Sequence, residues 1–158
     1  MRAQKKRTLI EERICLEAEL LRQLEHPNII GFRGFAKGGD ENASILAMEL
    51  GGKSLGDIIM ARIEAEEDFV VPEPFQAKVI QKVAYDVGKA LEYLHEKKKI
   101  LHGDVKSANV LIFGNFDMAK LCDFGVARKI KDNGEIEGVY AGTQLWTPME
   151  ALKSQKRK

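Results

Sequence analysis

At 158 residues the chain has the size of one ordinary domain, and its 44% apolar content is ample for a core. Lys and Arg number 25 against 24 Asp and Glu, a net charge of +1, so no global field points to nucleic acid or to an anionic membrane. Cys15 and Cys122 lie far apart without disulfide or zinc spacing, the start MRAQKKRTLIEER has no apolar signal core, and no run reaches membrane-spanning length; the expectation is a soluble protein of the cytoplasm or nucleus.

Along the chain, residues 6–25 read as a helix, with Ile10, Ile14, Leu20, Leu21 and Leu24 at helical spacing. HPN (26–28) ends it, because a residue before proline avoids the α region. IIGFRGF and SILAMEL read as two strands around the turn AKGGDEN. GGKSLGDII is a loop that opens a short helix at Ser54. Residues 75–97 carry the longest helical pattern, through Phe75, Val79, Ile80, Val83, Ala84, Val87, Leu91 and Leu94. NVLIF, the turn GNFD and MAKLC read as a hairpin. Periodicity is then lost from Asp123 to Glu150, and the end KSQKRK reads as a solvated tail.

Two placements stand out. In the first helix Glu17 falls near the centre of the apolar stripe, where a carboxylate needs a positive partner or hydrogen bonds. From this segment alone a helix-edge glutamate reaching to water is the alternative. In the hairpin, Asn109 enters the first strand and Asp123 leaves the second. An antiparallel pair folds those ends together, with strands about 4.8 Å apart. An amide oxygen and a carboxylate meeting there would suit Mg²⁺, which prefers hard oxygen ligands and keeps much of its water. Turn chemistry alone would also account for either residue.

The segment LHGDVKSANVL (101–111) places His102, Asp104, Lys106 and Asn109 in the pattern H-x-D-x-K-x-x-N, and DFG (123–125) follows one hairpin later. Four fixed residue types would match a given start by chance roughly once in 10⁵. The chain resembles eukaryotic protein kinases over nearly all of its length, and the phrases HPNIIGFRGF, LAMELGGKSLGDII and GTQLWTPMEA are similar to a MAP kinase kinase-like branch. The resemblance implies an α+β, bilobal fold. Residues 1–50 would be a remnant of the N-lobe, with helix C and two strands. Residues 51–158 would be the first part of the C-lobe through the activation segment.

The roles it implies run residue by residue. Asp104 would be the catalytic base, accepting or orienting the proton of a substrate hydroxyl. Lys106 would meet the γ-phosphate of ATP. Asn109 and Asp123 would hold Mg²⁺. Glu17, nine residues before His26, takes the place of the helix-C glutamate that pairs with a lysine. Met48 would be the gatekeeper, the backbone of Glu49 and Gly51 would meet adenine, and Leu111 would lie beneath the ring. Leu21, Phe32, His102 and Phe124 would stack as an apolar column. The substrate would be a protein, with a MAP kinase one candidate, phosphorylated on serine or threonine or with dual specificity.

Departures from the pattern carry expectations of their own. Gly103 stands where most kinases have an arginine that binds a phosphorylated activation loop, and Tyr140 is the only hydroxyl-bearing residue between Gly125 and Gly142; no arginine-pocket switch is expected. TPME replaces the usual Ala-Pro-Glu ending. Neither a G-x-G-x-x-G loop nor a Val-Ala-x-Lys strand precedes the first helix, and the late C-lobe helices do not follow, so part of the apolar face of helix 75–97 is expected to be exposed. The alternative to an active kinase is a kinase-like binding or scaffold module. Nucleic-acid binding by the tail has little support, since no aromatic residue interleaves with KSQKRK.

Overall fold

The structure is a computed structural model that describes residues 2–39, 43–66, 70–136, 138 and 140–155, with side chains described from residue 10 to residue 152 within those spans. The expected turn 36–42 and the basic tail therefore lie partly outside the described residues. Helix α1 (Arg2–Leu21) starts earlier and ends earlier than the periodicity suggests. Its last turn tightens, as Gln23 N–H donates to Leu20 O (2.9 Å) and Leu24 N–H to Leu21 O (3.2 Å), before HPN stops it.

Strands β1 (Phe32–Ala36) and β2 (Ile45–Met48) pair antiparallel, with a bulge between Phe32 and Gly34. Both are shorter than the apolar runs that announce them. The residues between the helix and β1 serve instead as a bridge to the second half of the chain. Ile30 N–H donates to Leu121 O (3.0 Å), Leu121 N–H to Asn28 O (2.8 Å), and Asn28 Nδ2 to Ala119 O (3.0 Å). Glu25 N–H reaches Tyr93 Oη at 3.1 Å, and the His26 ring stacks on Tyr93 at 4.9 Å.

A two-residue strand β3 (Lys53–Ser54) leads into helix α2 (Leu55–Glu64). Ser54 caps that helix as the sequence predicts, its hydroxyl accepting from Asp57 N–H at 3.0 Å. Helix α3 (Ala77–Glu92) begins two residues later than expected and runs on as a π-helical turn, Tyr93–Lys98. It ends at Lys99, whose φ of +53° reverses the chain. Strand β4 (Ile100–Leu101) follows, then a 3₁₀ turn at Ser107–Asn109, and the hairpin β5 (Val110–Phe113) and β6 (Met118–Leu121). The hairpin turn uses left-handed Gly114 and Phe116. β3, β5 and β6 make one sheet, and β7 (Arg128–Lys129) pairs with β4. A 3₁₀ turn at Gln144–Trp146 and helix α4 (Met149–Gln155) close the chain.

One core joins these parts. Leu21 and Leu24 of the α1 end, Ile29 and Ile30 of the bridge, Leu94, Ile112, Leu121 and Phe124 pack in a single buried cluster. α3 faces β6 with Val83, Val87 and Leu91 against that core, while Ile80 and Tyr85 stay more than half exposed, as expected for this helix.

Candidate active site

Two glycines let the chain fold back on itself here. Gly103 sits at φ +82°, where a side chain is strained, and a Cβ would lie 3.2 Å from the Val126 carbonyl. A Cβ on Gly142 would collide with the Gly103 carbonyl, so only glycine allows the 140s to close over the catalytic-loop segment. Beneath them His102 is fully buried. Its Nδ1 accepts from Asp104 N–H (3.2 Å), and so Nε2 carries the proton and donates to Cys122 O (3.0 Å). Burial holds the His102 pKa below its ordinary value against the nearby carbonyl and carboxylates. The neutral ring is the form that makes both bonds.

Asp104, 7% exposed, takes hydrogen bonds from three side chains or backbones. Its Oδ1 accepts Thr143 N–H at 2.7 Å; its Oδ2 accepts Lys106 Nζ at 2.6 Å and Asn109 Nδ2 at 3.1 Å. Burial pushes the carboxyl up, but the bonds from Lys106 and Thr143 outweigh it and hold the pKa at about 2. Lys106 Nζ also donates to Thr143 Oγ1 (2.7 Å), and Asn109 Nδ2 to the Asp104 carbonyl (2.8 Å).

The hairpin closes the expected gap between Asn109 and Asp123, with Cys122 N–H donating to Asn109 O at 3.0 Å. Asp123 follows at φ +65°, a left-handed conformation uncommon outside glycine and the kind of strain that collects at functional sites. Asp104, Asp123 and Glu17 line one cavity of about 380 Å³, together with Arg13 and Thr143. Lys106 and Asn109 join it through Asp104. Because the Asn109 amide nitrogen donates twice to Asp104, its Oδ1 is the atom oriented to accept. That oxygen and the Asp123 carboxylate are hard oxygen donors, the chemistry Mg²⁺ takes when phosphate and water complete its shell. Among the described residues no group of three or more His, Cys, Asp or Glu gathers to hold a metal alone.

Glu17 faces inward, one of the two readings its place in the stripe left open. Its Oε1 accepts Phe124 N–H at 2.9 Å, and burial, helped by Asp123, raises its pKa above the ordinary value despite that bond. Among the described residues this backbone donor, not a lysine, is its partner. Cys122 beside it is pushed up to about 11 by burial and by the two carboxylates, so the thiol is inert. The apolar column assembles. Leu21, His102 and Phe124 are buried, His102 meets Phe124 edge-on at 4.8 Å, and Phe32 packs on the same cluster.

On the opposite side, Met48 ends β2 facing Phe32 and is 40% exposed. Glu49 N–H donates to Gly31 O (2.7 Å), so adenine could meet only its carbonyl. A Cβ on Gly51 would lie 2.9 Å from Leu111 Cδ1, which sets Leu111 against residues 49–52, the connecting segment between β2 and β3.

Sequence reasoning missed three side chains. Thr143 has no local signal, since its partners lie 37 and 39 residues away. The Glu49 carboxylate accepts from Lys120 Nζ (2.7 Å to each oxygen) and from Gly31 N–H (3.1 Å), tying both halves of the chain behind the connecting segment and holding the Glu49 pKa down. Asp86 is 3% exposed on the inner face of α3, bonded by Lys82 (2.6 Å) and by Ala119 N–H (2.8 Å). The stripe argument that singled out Glu17 would have found Asp86 too.

The profile described as Protein kinase domain matches residues 1–158. The chain belongs to the protein kinase family. It is 44% identical over 151 residues to the human lymphokine-activated killer T-cell-originated protein kinase, across 93% of this chain and 45% of that protein. It is 31% identical to the mouse serine/threonine-protein kinase Nek4, across 88% of this chain and 16% of that one. Among solved structures, a chain of the yeast RNA Pol II CTD kinase CTDK-1 complex aligns with a TM-score of 0.59 at 25% identity, covering 73% of this chain and 34% of that chain. The chain thus spans less than half the length of these relatives.

Proposed function

We propose that this chain carries the phosphoryl-transfer loop of a protein kinase that moves the γ-phosphoryl group of ATP to serine or threonine hydroxyls of proteins, with dual specificity and a MAP kinase substrate as the finer readings. The observation that carries this is the shared cavity: Asp104, held by Lys106, Asn109 and Thr143, opens on the same space as Asp123.

Phosphoryl transfer needs alignment and charge stabilisation more than covalent chemistry from the protein. Asp104 is a poor proton acceptor while its pKa stays near 2, so its first task is to orient the incoming hydroxyl. Lys106 bridges Asp104 and Thr143, which fixes an ammonium group where charge builds on the transferred phosphoryl. Mg-ATP, when bound, supplies the phosphoryl group, and Asn109 and Asp123 would hold its metal. Glu49, Gly51 and Leu111 form the purine side. Serine or threonine as acceptor is supported by the Nek4 relationship.

The test is phosphate transfer from Mg-ATP to a generic basic protein by the full-length protein, followed by phosphoamino-acid analysis. Asp104→Asn should lower turnover by about 10²–10⁴. Absence of turnover in the wild type, with nothing further lost in Asp104→Asn, would remove the enzyme reading and leave the scaffold one.

A further inference from the structure

Beside the active-site cavity, and sharing Gly125 with it, lies a second, larger hollow of about 670 Å³. Its walls are α1 and the β4–β7 ribbon. Leu16 and Leu20 contribute apolar surface from α1; Ile100 and Ile130 contribute it from the ribbon, with Phe124 at the floor. Leu16 is 52% exposed, so the apolar wall is open to a visitor.

The charge around this hollow is one-sided. Among the described residues Lys98, Lys99, Arg128 and Lys129 line it, against the carboxylate of Glu19. The cause is the strand register. Pairing of Ile100 with Lys129 and of Leu101 with Arg128 lays the basic run of 97–99 beside that of 128–131. Like charges set side by side on a two-stranded ribbon are unfavourable. Among the described residues the relief is small: Glu96 stands 4.0 Å from Lys99, and Arg128 Nη1 donates to the Ala127 carbonyl (2.8 Å).

We infer that the groove between α1 and the β4–β7 ribbon docks an acidic segment of a partner protein that carries apolar anchors. Aliphatic side chains of the segment lie against Leu16, Leu20 and Ile130, and its carboxylates meet the four cations. A uniformly charged polyanion satisfies the cations but leaves the apolar wall wet, which is why the wall and the rim together select a peptide. The groove also borders the working site. Leu16 precedes Glu17, whose carboxylate holds Phe124 N–H on the other side of the helix. A segment seated here braces α1 against Phe124 and so favours that bond. The inference does not depend on phosphate transfer.

The chain itself can be titrated, by fluorescence anisotropy, with a labelled ten-residue peptide of five glutamates and two leucines, and with a control in which serine replaces both leucines. The leucine peptide should bind and the serine peptide should bind about five-fold more weakly. The double reversal Arg128→Glu/Lys129→Glu should weaken the leucine peptide about ten-fold. Leu16→Ser, a change at a half-exposed position that folding tolerates, should weaken it about five-fold. Bound peptide should also slow hydrogen exchange at the Phe124 amide. Equal affinity for both peptides, tighter binding of a DNA oligonucleotide or of phosphatidylserine vesicles than of the leucine peptide, insensitivity to both variants, or no binding at all would each overturn the inference.

Discussion

Asp104 and Glu17 line the same cavity, yet the chain treats them in opposite ways. Asp104 stands in a loop where Lys106 and Asn109 follow within five residues, and Thr143 is folded onto it through the glycine contact. Its charge is met from three directions and its pKa falls to about 2. Glu17 has one backbone donor among the described residues and is half-buried beside another acid; its pKa rises. Two carboxylates whose surroundings push them apart suit a site that must keep one ionised and leave the other waiting for a cation. The difference teaches where the fold is complete by itself and where it depends on something brought to it. Phe124 lies at the joint, with its ring on His102 and its amide on Glu17.

The severest way to break the contrast is to remove that joint. Phe124 is 1% exposed in the core that links α1 to the hairpin. Phe124→Ala should cost about 3–5 kcal/mol in urea unfolding of the chain, the range for a buried aromatic truncation. A loss below about 1 kcal/mol would mean that α1 and the hairpin are not packed through this ring.

The well-supported side can be loosened more gently. Asn109→Ala leaves the Asp104 carbonyl and Oδ2 each short of a donor at a buried position, with an expected cost of about 1–3 kcal/mol. Thr143→Val removes the hydroxyl but keeps the N–H that Asp104 accepts, so its cost should be nearer 1 kcal/mol. The sharper readout is the titration of Asp104. Its pKa should move from about 2 towards the ordinary carboxylate value in Thr143→Val, as followed by carboxyl carbon NMR. Stability from Asp104 is fully present above its unfolded pKa of about 3.8 and is lost as pH falls through about 2, so the variant should lose its acid tolerance at a higher pH than the wild type. Identical acid limits would show that the Thr143 hydroxyl adds nothing to what Lys106 and the Thr143 N–H already supply.

How much of this could be read from the chain follows the same division. Contacts made within a loop or a hairpin are written in short spacings: Ser54 capping α2, the 110–121 hairpin, and the return of its far end to Asn109 through Cys122 N–H were all legible. The aim of Glu17 was legible only in part, since the stripe left it facing inward or reaching to water and the resemblance alone chose between them. Two things were not legible. Helix and strand ends moved by several residues, since the apolar run 29–31 reads as strand but is taken up by a bridge to Leu121. The partners of Thr143 and Lys120 also escaped, because their approach depends on Gly142 and on the path of Glu49, not on any spacing. A polar group whose partner lies far along the chain announces the need but not the donor.

Glu17→Gln gives the smallest effect and the finest test, because its sign depends on pH. Gln can still accept Phe124 N–H through its amide oxygen, so geometry is kept while the charge is removed. The wild-type pKa is raised from 4.5 by burial and by Asp123, so the folded chain favours neutral Glu17. That preference stabilises fully below 4.5 and is lost as pH rises through the raised folded value. Gln stays neutral throughout. The variant should therefore compare better with the wild type at pH 7 than at pH 4, by an amount smaller than any of the losses above. Unfolding curves at the two pH values decide it. If the variant is relatively worse at pH 7, Glu17 is already paired with a cation in the folded chain, and the asymmetry between the two carboxylates disappears.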